Sequence, residues 1–300
     1  MNAVKTKFSI KDLENLASVK AHTIRIWEKR YQLFAPERTP TNIRTYTLKD
    51  LQKLLNVSFL LEHDYKISKI ASHSTSEIAE LVKQTVSLKT QPKGHQAINS
   101  FKIAMINFDQ QLFAKTFDSL SKELDFTTIF KEVLIPLLEE IGLLWQTNTI
   151  DPSHEHFITN LIKQKILLRI EQYQLTDIPH KSRVFVLFLP DNEIHDLGLL
   201  FLNYEIVRHG YKCIYLGQSI LIENLKYLML NQLNVSFVSY FTVKPDHSSV
   251  ADYAKAFNTE LENNNVPFYI FGRKALRENI KDLPKNSHVI KSIDSFIENL

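Results

Sequence analysis

Val184-Phe185-Val186-Leu187-Phe188-Leu189, followed by Pro190-Asp191-Asn192-Glu193-Ile194-His195-Asp196-Leu197-Gly198, decides how this 300-residue chain is read. Six apolar residues in a row show no helical period and stop at a proline, which predicts a short strand buried on both faces. A helix over 198–208 comes next, and the alternation then repeats: strands at 213–216, 235–241, 267–271 and 289–290, helices at 222–230, 249–261, 276–280 and 293–300. Short apolar strands alternating with amphipathic helices predict a parallel sheet with helices on both faces, a Rossmann-like (flavodoxin-like) α/β domain over residues 181–300. Gly198, Gly210, Gly217 and Gly272, four of the six glycines, punctuate this region as turns. Open sheets of this class take ligands beyond the carboxyl ends of their strands, where the 190–198 loop falls. His195 is a candidate transition-metal ligand there, since one ring nitrogen can bind cobalt if a neighbour holds the other. Glu193 and Asp196 are both near enough in sequence to be that neighbour. Gly198 opens its helix with no side chain to crowd a bulky group.

Upstream, residues 76–180 are helical in period and predict a four-helix bundle. Phe130, Val133, Leu134, Leu137, Leu138, Ile141, Leu144 and Trp145 form one apolar stripe, which Pro136 is expected to kink. A second long helix starts at Asp151-Pro152-Ser153, where a capping residue and an early proline coincide, and runs to Gln174. Gln91-Pro92-Lys93-Gly94 and the polar stretch 177–182 interrupt the helices.

The first 70 residues carry 13 Lys and Arg against 7 Asp and Glu, a net +6 in a chain whose overall charge is +3. A basic head on a near-neutral body suits a polyanion. Within residues 1–75, Ser9 caps a short helix, and a second runs through 19–28 after a tight turn, with Ile24 and Trp27 packed inward. His22, Thr23 and Arg25 occupy its outer edge. The arginine-bearing hairpin at 36–46 then precedes a helix over 48–63. With 44% hydrophobic and 23% charged residues the composition excludes a disordered or fibrous chain. No signal peptide and no run of eighteen apolar residues is visible, and Cys213, the single cysteine, lies in an apolar strand, all of which fits a reducing cytoplasm.

Ile24-Arg25-Ile26-Trp27-Glu28-Lys29-Arg30-Tyr31, then Pro36-Glu37-Arg38-Thr39, Asn42 and Arg44-Thr45-Tyr46, resembles the MerR family of winged helix-turn-helix regulators over residues 7–73. The resemblance implies binding to a double-stranded DNA operator. His22, Thr23 and Arg25 would meet bases, while Tyr31, Arg38, Asn42, Arg44 and the Tyr46 hydroxyl would support or touch the backbone.

The spacing Glu193-x-His195-x-x-Gly198, with Ser239-x-Phe241 ending the third strand and Gly272 the fourth, resembles the cobalamin-binding module of methionine synthase. The resemblance implies His195 as the lower axial cobalt ligand and a nucleotide tail entering the sheet domain beside Gly217, Ser239 and Gly272. Trp145 with Glu155-His156 resembles the helical cap over the upper corrin face. All three modules in this order resemble the photoreceptive, cobalamin-dependent CarH/LitR repressors. Adenosylcobalamin, dimer or tetramer formation, light-triggered release from DNA and no enzymatic turnover are what that implies. The chain departs from the family at Gln146, where light sensors carry a histidine, at Asn148, and at Phe241 and Arg273, which would crowd the tail. A regulator whose body no longer binds cobalamin and serves in dimerisation, and a corrinoid carrier for a methyltransferase, are the alternatives.

Overall fold

The computed structural model describes residues 7–88, 94–146, 149–174, 178–231, 234–245, 248–263, 265–277 and 282–300, and the chain divides into two compact units, residues 1–161 and 162–300. The first unit opens with strand β1 (Lys7–Phe8), helices α1 (Ile10–Ala17) and α2 (Ala21–Tyr31), hairpin strands β2 (Glu37–Arg38) and β3 (Arg44–Thr47), and helix α3 (Leu48–Glu62). α1 begins where it does because Ser9 and Asp12 form a reciprocal box: the Asp12 N–H donates to Ser9 Oγ (3.1 Å) and the Ser9 N–H to Asp12 Oδ2 (2.7 Å). Thr47 and Asp50 repeat that device at the start of α3. β3 is the central strand of a small antiparallel sheet, pairing Phe8 with Tyr46 on one side and Arg38 with Arg44 on the other.

The helices α4 (Ile67–Ile70), α5 (Thr75–Leu88), α6 (Gly94–Asn107), α7 (Gln110–Ser121), α8 (Phe126–Ile129) and α9 (Ile135–Gln146) follow. α5 packs on α3, while α7, α9 and the turn between α8 and α9 pack on α6. The expected kink at Pro136 takes the form of a π turn over Phe130–Leu134, where the Ile135 N–H bonds to the Phe130 carbonyl. The ring of a proline clashes with the carbonyl four residues before it, and one wider turn relieves that clash without ending the apolar stripe. Of the interruption expected at 91–94, Gly94 begins α6 and the rest lies outside the described residues, as does Asn148.

Lys102 on α6 is 5% exposed, its ammonium donating to the Leu16 carbonyl in the last turn of α1 (3.2 Å) and pairing with Glu140 on α9. Asn15 Nδ2 donates to Thr149 Oγ1 at 2.8 Å. These two polar links join the basic head to the helices that follow it inside one unit.

Helix α10 (Pro152–Gln174) contains the boundary between the units. Beyond it come β4 (His180–Phe188), α11 (Leu197–Arg208), β5 (Tyr211–Gly217), a 3-10 turn with α12 (Lys226–Asn231), β6 (Val235–Tyr240), α13 (Val250–Leu261), β7 (Phe268–Phe271), α14 (Arg273–Arg277), β8 (Ser287–Val289) and α15 (Ile293–Glu298). All five strands run parallel in the order β5-β4-β6-β7-β8, the doubly wound arrangement expected from the alternation. β4 begins at His180, inside the stretch read as a polar break, through an irregular pairing with Tyr211. The short helix expected at 276–280 lies earlier, at α14, and residues 278–281 are outside the description. Aromatic side chains fill one face of the sheet, Phe188, Phe237, Phe257 and Phe268 all being wholly buried. Cys213 is partly buried on β5, and burial pushes its thiol pKa up, which removes it from thiolate chemistry at neutral pH.

The Lys102 link yields a test of the first unit. Lys102→Ala withdraws the cation from both Leu16 and Glu140 and should lower stability by about 2 kcal/mol, in the range for hydrogen bonds to charged groups. Urea unfolding at unchanged m value reads this as a fall in midpoint, and an unchanged midpoint would show that the link contributes nothing.

Candidate functional site

Two constellations hold the residues singled out in the sequence, one in each unit. In the head, His22 and Arg25 are exposed along α2, with Thr23 and Tyr31 half-buried, and the Arg30 guanidinium lies 5.4 Å from the centre of the Tyr31 ring. Arg38 is exposed on the hairpin and donates to Asn42 Oδ1 (2.6 Å), while Asn42 takes φ 64° to close the turn. The Asn42 N–H bonds to the Thr39 carbonyl at 2.8 Å and the Thr39 N–H to the Ile43 carbonyl at 2.9 Å.

Arg44 and Tyr46 differ from the expectation. Tyr46 is 0% exposed, and its hydroxyl donates to Glu28 Oε2 at 3.2 Å. Arg44 Nε donates to both oxygens of the same carboxylate, at 3.0 and 3.1 Å. The physical reason is alternation on a short strand: the Tyr46 ring turns inward to pack edge-on against Phe34 at 6.5 Å, and its polar tip then needs a buried acceptor. Burial, with the charge and hydrogen bond of Glu28, raises the Tyr46 pKa against the opposing charges of Arg44 and Arg25. Glu28 thus clamps the hairpin to α2, a role the sequence reading missed. Its position one turn after buried Ile24 was the available signal.

In the sheet unit, the loop after β4 is organised around the Glu193 carboxylate, which is 0% exposed. Glu193 Oε1 accepts from His195 Nδ1 (2.6 Å) and from the backbone N–H groups of Ile194 (3.0 Å) and His195 (3.1 Å). Oε2 accepts from the N–H groups of Val243 (2.8 Å) and Lys244 (2.9 Å) in the loop after β6. Burial alone would raise this carboxyl; the His195 hydrogen bond and the N–H groups of Lys244, Val243 and His195 outweigh it and hold the pKa down to about 2. An ionised carboxylate only accepts, so His195 Nδ1 carries a proton, and in the neutral imidazole Nε2 then holds the lone pair. The side chain of His195 is 48% exposed. Asp196, the other candidate for holding it, instead pairs with Lys163 on α10. Ile194 (59% exposed), Leu221 (44%) and Val243 (50%) leave large apolar side chains uncovered on the three loops at this end of the sheet.

Three of the four glycines of this region are used differently. Gly217 has φ +85°, and a Cβ there would make an ordinary contact with the Tyr215 ring at 3.5 Å. A Cβ at Gly198 would lie 2.7 Å from the ring of Tyr240, so the room expected for a bulky group holds a side chain of the chain itself. A Cβ at Gly272, where φ is +103°, would meet the Phe241 carbonyl oxygen at 2.2 Å. Ser239 is 0% exposed and its hydroxyl has no hydrogen-bond partner among the described residues. Phe241 is equally buried, while Arg273 is exposed at the start of α14. In the first unit Trp145 is 50% exposed near the end of α9, Glu155 is half-buried and His156 exposed in the first turns of α10.

The donor set fits a corrinoid in part. A histidine with one nitrogen held by a buried carboxylate is the arrangement a metal-binding imidazole requires, and exposed apolar side chains beside it suit a macrocycle face. The ring of Tyr240 against Gly198 does not fit a nucleotide tail at that place.

Residues 8–77 match the model of the MerR HTH family of regulatory proteins, and residues 97–169 match a B12 binding domain. The chain is 28% identical over 232 residues to the HTH-type transcriptional repressor CarH of Myxococcus xanthus, covering 76% of each. It is 25% identical over 209 residues to the HTH-type transcriptional repressor CarA of the same organism, 69% of this chain and 67% of that protein. In fold it is similar to the monomethylamine corrinoid protein of Methanosarcina barkeri, at TM-score 0.56 and 13% identity over 69% of this chain and 97% of that one.

The Glu28 clamp can be tested in the head. Glu28→Ala leaves a buried hydroxyl without its acceptor and should cost about 2 kcal/mol, whereas Tyr46→Phe, which keeps the ring, should cost about 1. Equal losses in denaturant unfolding would contradict the shared-carboxylate arrangement. By both matched modules and both relatives, the chain carries a MerR-type HTH module followed by a B12 binding domain and is homologous to the CarH and CarA repressors.

Proposed function

We propose that this protein is a transcriptional repressor that grips operator DNA with residues 1–75 and senses a corrinoid, adenosylcobalamin in the first place, with residues 76–180 and 181–300. The single observation that carries the sensing half is the His195 imidazole held through Nδ1 by buried Glu193. Nε2 of His195 is the atom directed to cobalt, and Ile194, Leu221 and Val243 offer the apolar surface for the lower corrin face. Trp145, Glu155 and His156 are the first unit's candidates for contact with the corrinoid. Asp196, Gly217, Ser239 and Gly272 shape the loops around the ligand. When bound, the group would supply a cobalt–carbon bond that light can break. The chain's own part is to hold an oriented imidazole, to exclude water with apolar side chains and to couple occupancy to self-association as dimer or tetramer. The regulatory relatives support a role without catalytic turnover, and a repressor that works on DNA acts in the cytoplasm.

In the head, His22, Thr23 and Arg25 face the groove, and Arg38 with Asn42 lies against phosphates, with Tyr31 supporting the end of α2. Arg44 and Tyr46 act through Glu28, by setting the angle of the hairpin, so their effect on DNA is one of positioning. A second reading, a regulator whose body has given up cobalamin and keeps only its dimerisation role, is favoured by one observation: Tyr240 and Phe241 fill the carboxyl end of β6.

Gel filtration in the dark with adenosylcobalamin separates the two. Co-elution of corrinoid with protein in a larger assembly is the expected result, and His195→Ala should change the spectrum of any corrinoid still bound; protein eluting free of corrinoid leaves the second reading. On operator DNA, Arg38→Ala should reduce the slope of log K against log salt by about one unit, the loss of one phosphate contact.

A further inference from the structure

We propose that the sheet domain has no slot for the nucleotide tail of its corrinoid, and that the chain therefore accepts tail-less corrinoids, cobinamides, at least as readily as complete cobalamins, with Tyr240 as the specificity-determining residue. The inference rests on the corrinoid reading above and sharpens it to a ligand class.

Three features close the place. The Tyr240 ring lies so near Gly198 that a Cβ there would be 2.7 Å from both Cε2 and Cζ, which puts the phenol end of the ring directly on the first turn of α11. The ring also lies parallel to that of Phe271, its register partner on β7, with an interplanar angle of 7° and centroids 6.5 Å apart. At the end of β6 the chain seals itself: the Phe241 N–H donates to the Phe271 carbonyl (2.8 Å), and the Phe241 carbonyl accepts from Lys274 (3.2 Å) and lies against Gly272. The Phe241 side chain is wholly buried and packs edge-on to Tyr253 at 5.1 Å, so the opposite face of β6 is filled too. Interiors packed like this admit a new ring only by expelling one already there.

The chemistry of the ligand points the same way. In free cobalamin the base of the tail occupies the lower face of cobalt, so ligation by His195 displaces that base, and the displaced nucleotide then needs a place to go. A cobinamide has no such base: Nε2 of His195 replaces only water, and nothing has to enter between α11 and β6. The surface around His195, with Ile194, Leu221 and Val243 exposed, is untouched by Tyr240 filling its groove.

The experiment compares dissociation constants of the full-length protein for aquocobinamide and hydroxocobalamin, by ultrafiltration with absorbance of the free corrinoid. The expected result is binding of both, with cobinamide equal to or tighter than cobalamin, and a shift of at least tenfold in favour of cobalamin in Tyr240→Ala. Cobalamin binding tenfold or more tightly than cobinamide to the unaltered protein would overturn the proposal while leaving the corrinoid reading intact. Equal shifts for both ligands in Tyr240→Ala would remove Tyr240 from the role. Failure of the unaltered protein to bind either corrinoid would overturn the corrinoid reading and this inference with it.

Discussion

A single buried carboxylate organises the loops at the carboxyl end of the sheet. Glu193 sits at 0% exposure and accepts five hydrogen bonds, two of them from the loop after β6 and three from its own loop. A charge in that position is tolerable only because every lone pair is answered, and the cost of burying it is what makes the arrangement specific: few other conformations of the 190–196 loop would satisfy it. From that constraint follow the protonated Nδ1 of His195, the direction of Nε2, the exposure of Ile194 and Val243, and the release of Asp196 to pair with Lys163. The head uses the same device on a smaller scale, where Glu28 gathers Arg44 and Tyr46.

The two units differ in where their polar groups are spent. In the head the hydrogen bonds of the hairpin and its clamp are local, so the exposed cations, Arg25 and Arg38 among them, are left on the surface for a polyanion. In the sheet unit the aromatic side chains dominate, and they compete with any ligand for interior space. Tyr240, the last residue of β6, and Phe241 just after it pack into the clusters on opposite faces of the sheet.

The strand and helix alternation from 184 onward was legible because each strand is a run of apolar residues bounded by a polar loop or glycine, and the parallel order followed from it. The helix-turn-helix was legible from Ser9, Ile24 and Trp27 and from the dense motif that runs to Tyr46. The identity of His195 and its neighbours came from spacing, but which acid held it did not: Glu193 and Asp196 are equally close in sequence, and only the fold shows Lys163 taking one of them. Gly198 and Gly272 were read as room for a ligand, since sequence shows that a side chain is missing and cannot show what fills the gap. Tyr46 was placed on the surface because a hydroxyl on an arginine-rich hairpin suggests phosphate, whereas strand alternation turned it inward. The π turn before Pro136 had no sequence signal beyond the proline itself.

Lys102 ties α6 to the last turn of α1, and that link bears on engineering by recombination. A hybrid regulator made by exchanging only the first seventy-odd residues for another family member's would keep the ammonium of Lys102 while changing the carbonyl and packing it was shaped to meet. The seam that respects this chain's chemistry falls after Thr149, so that a donor head travels together with the helices and the side chain it leans on.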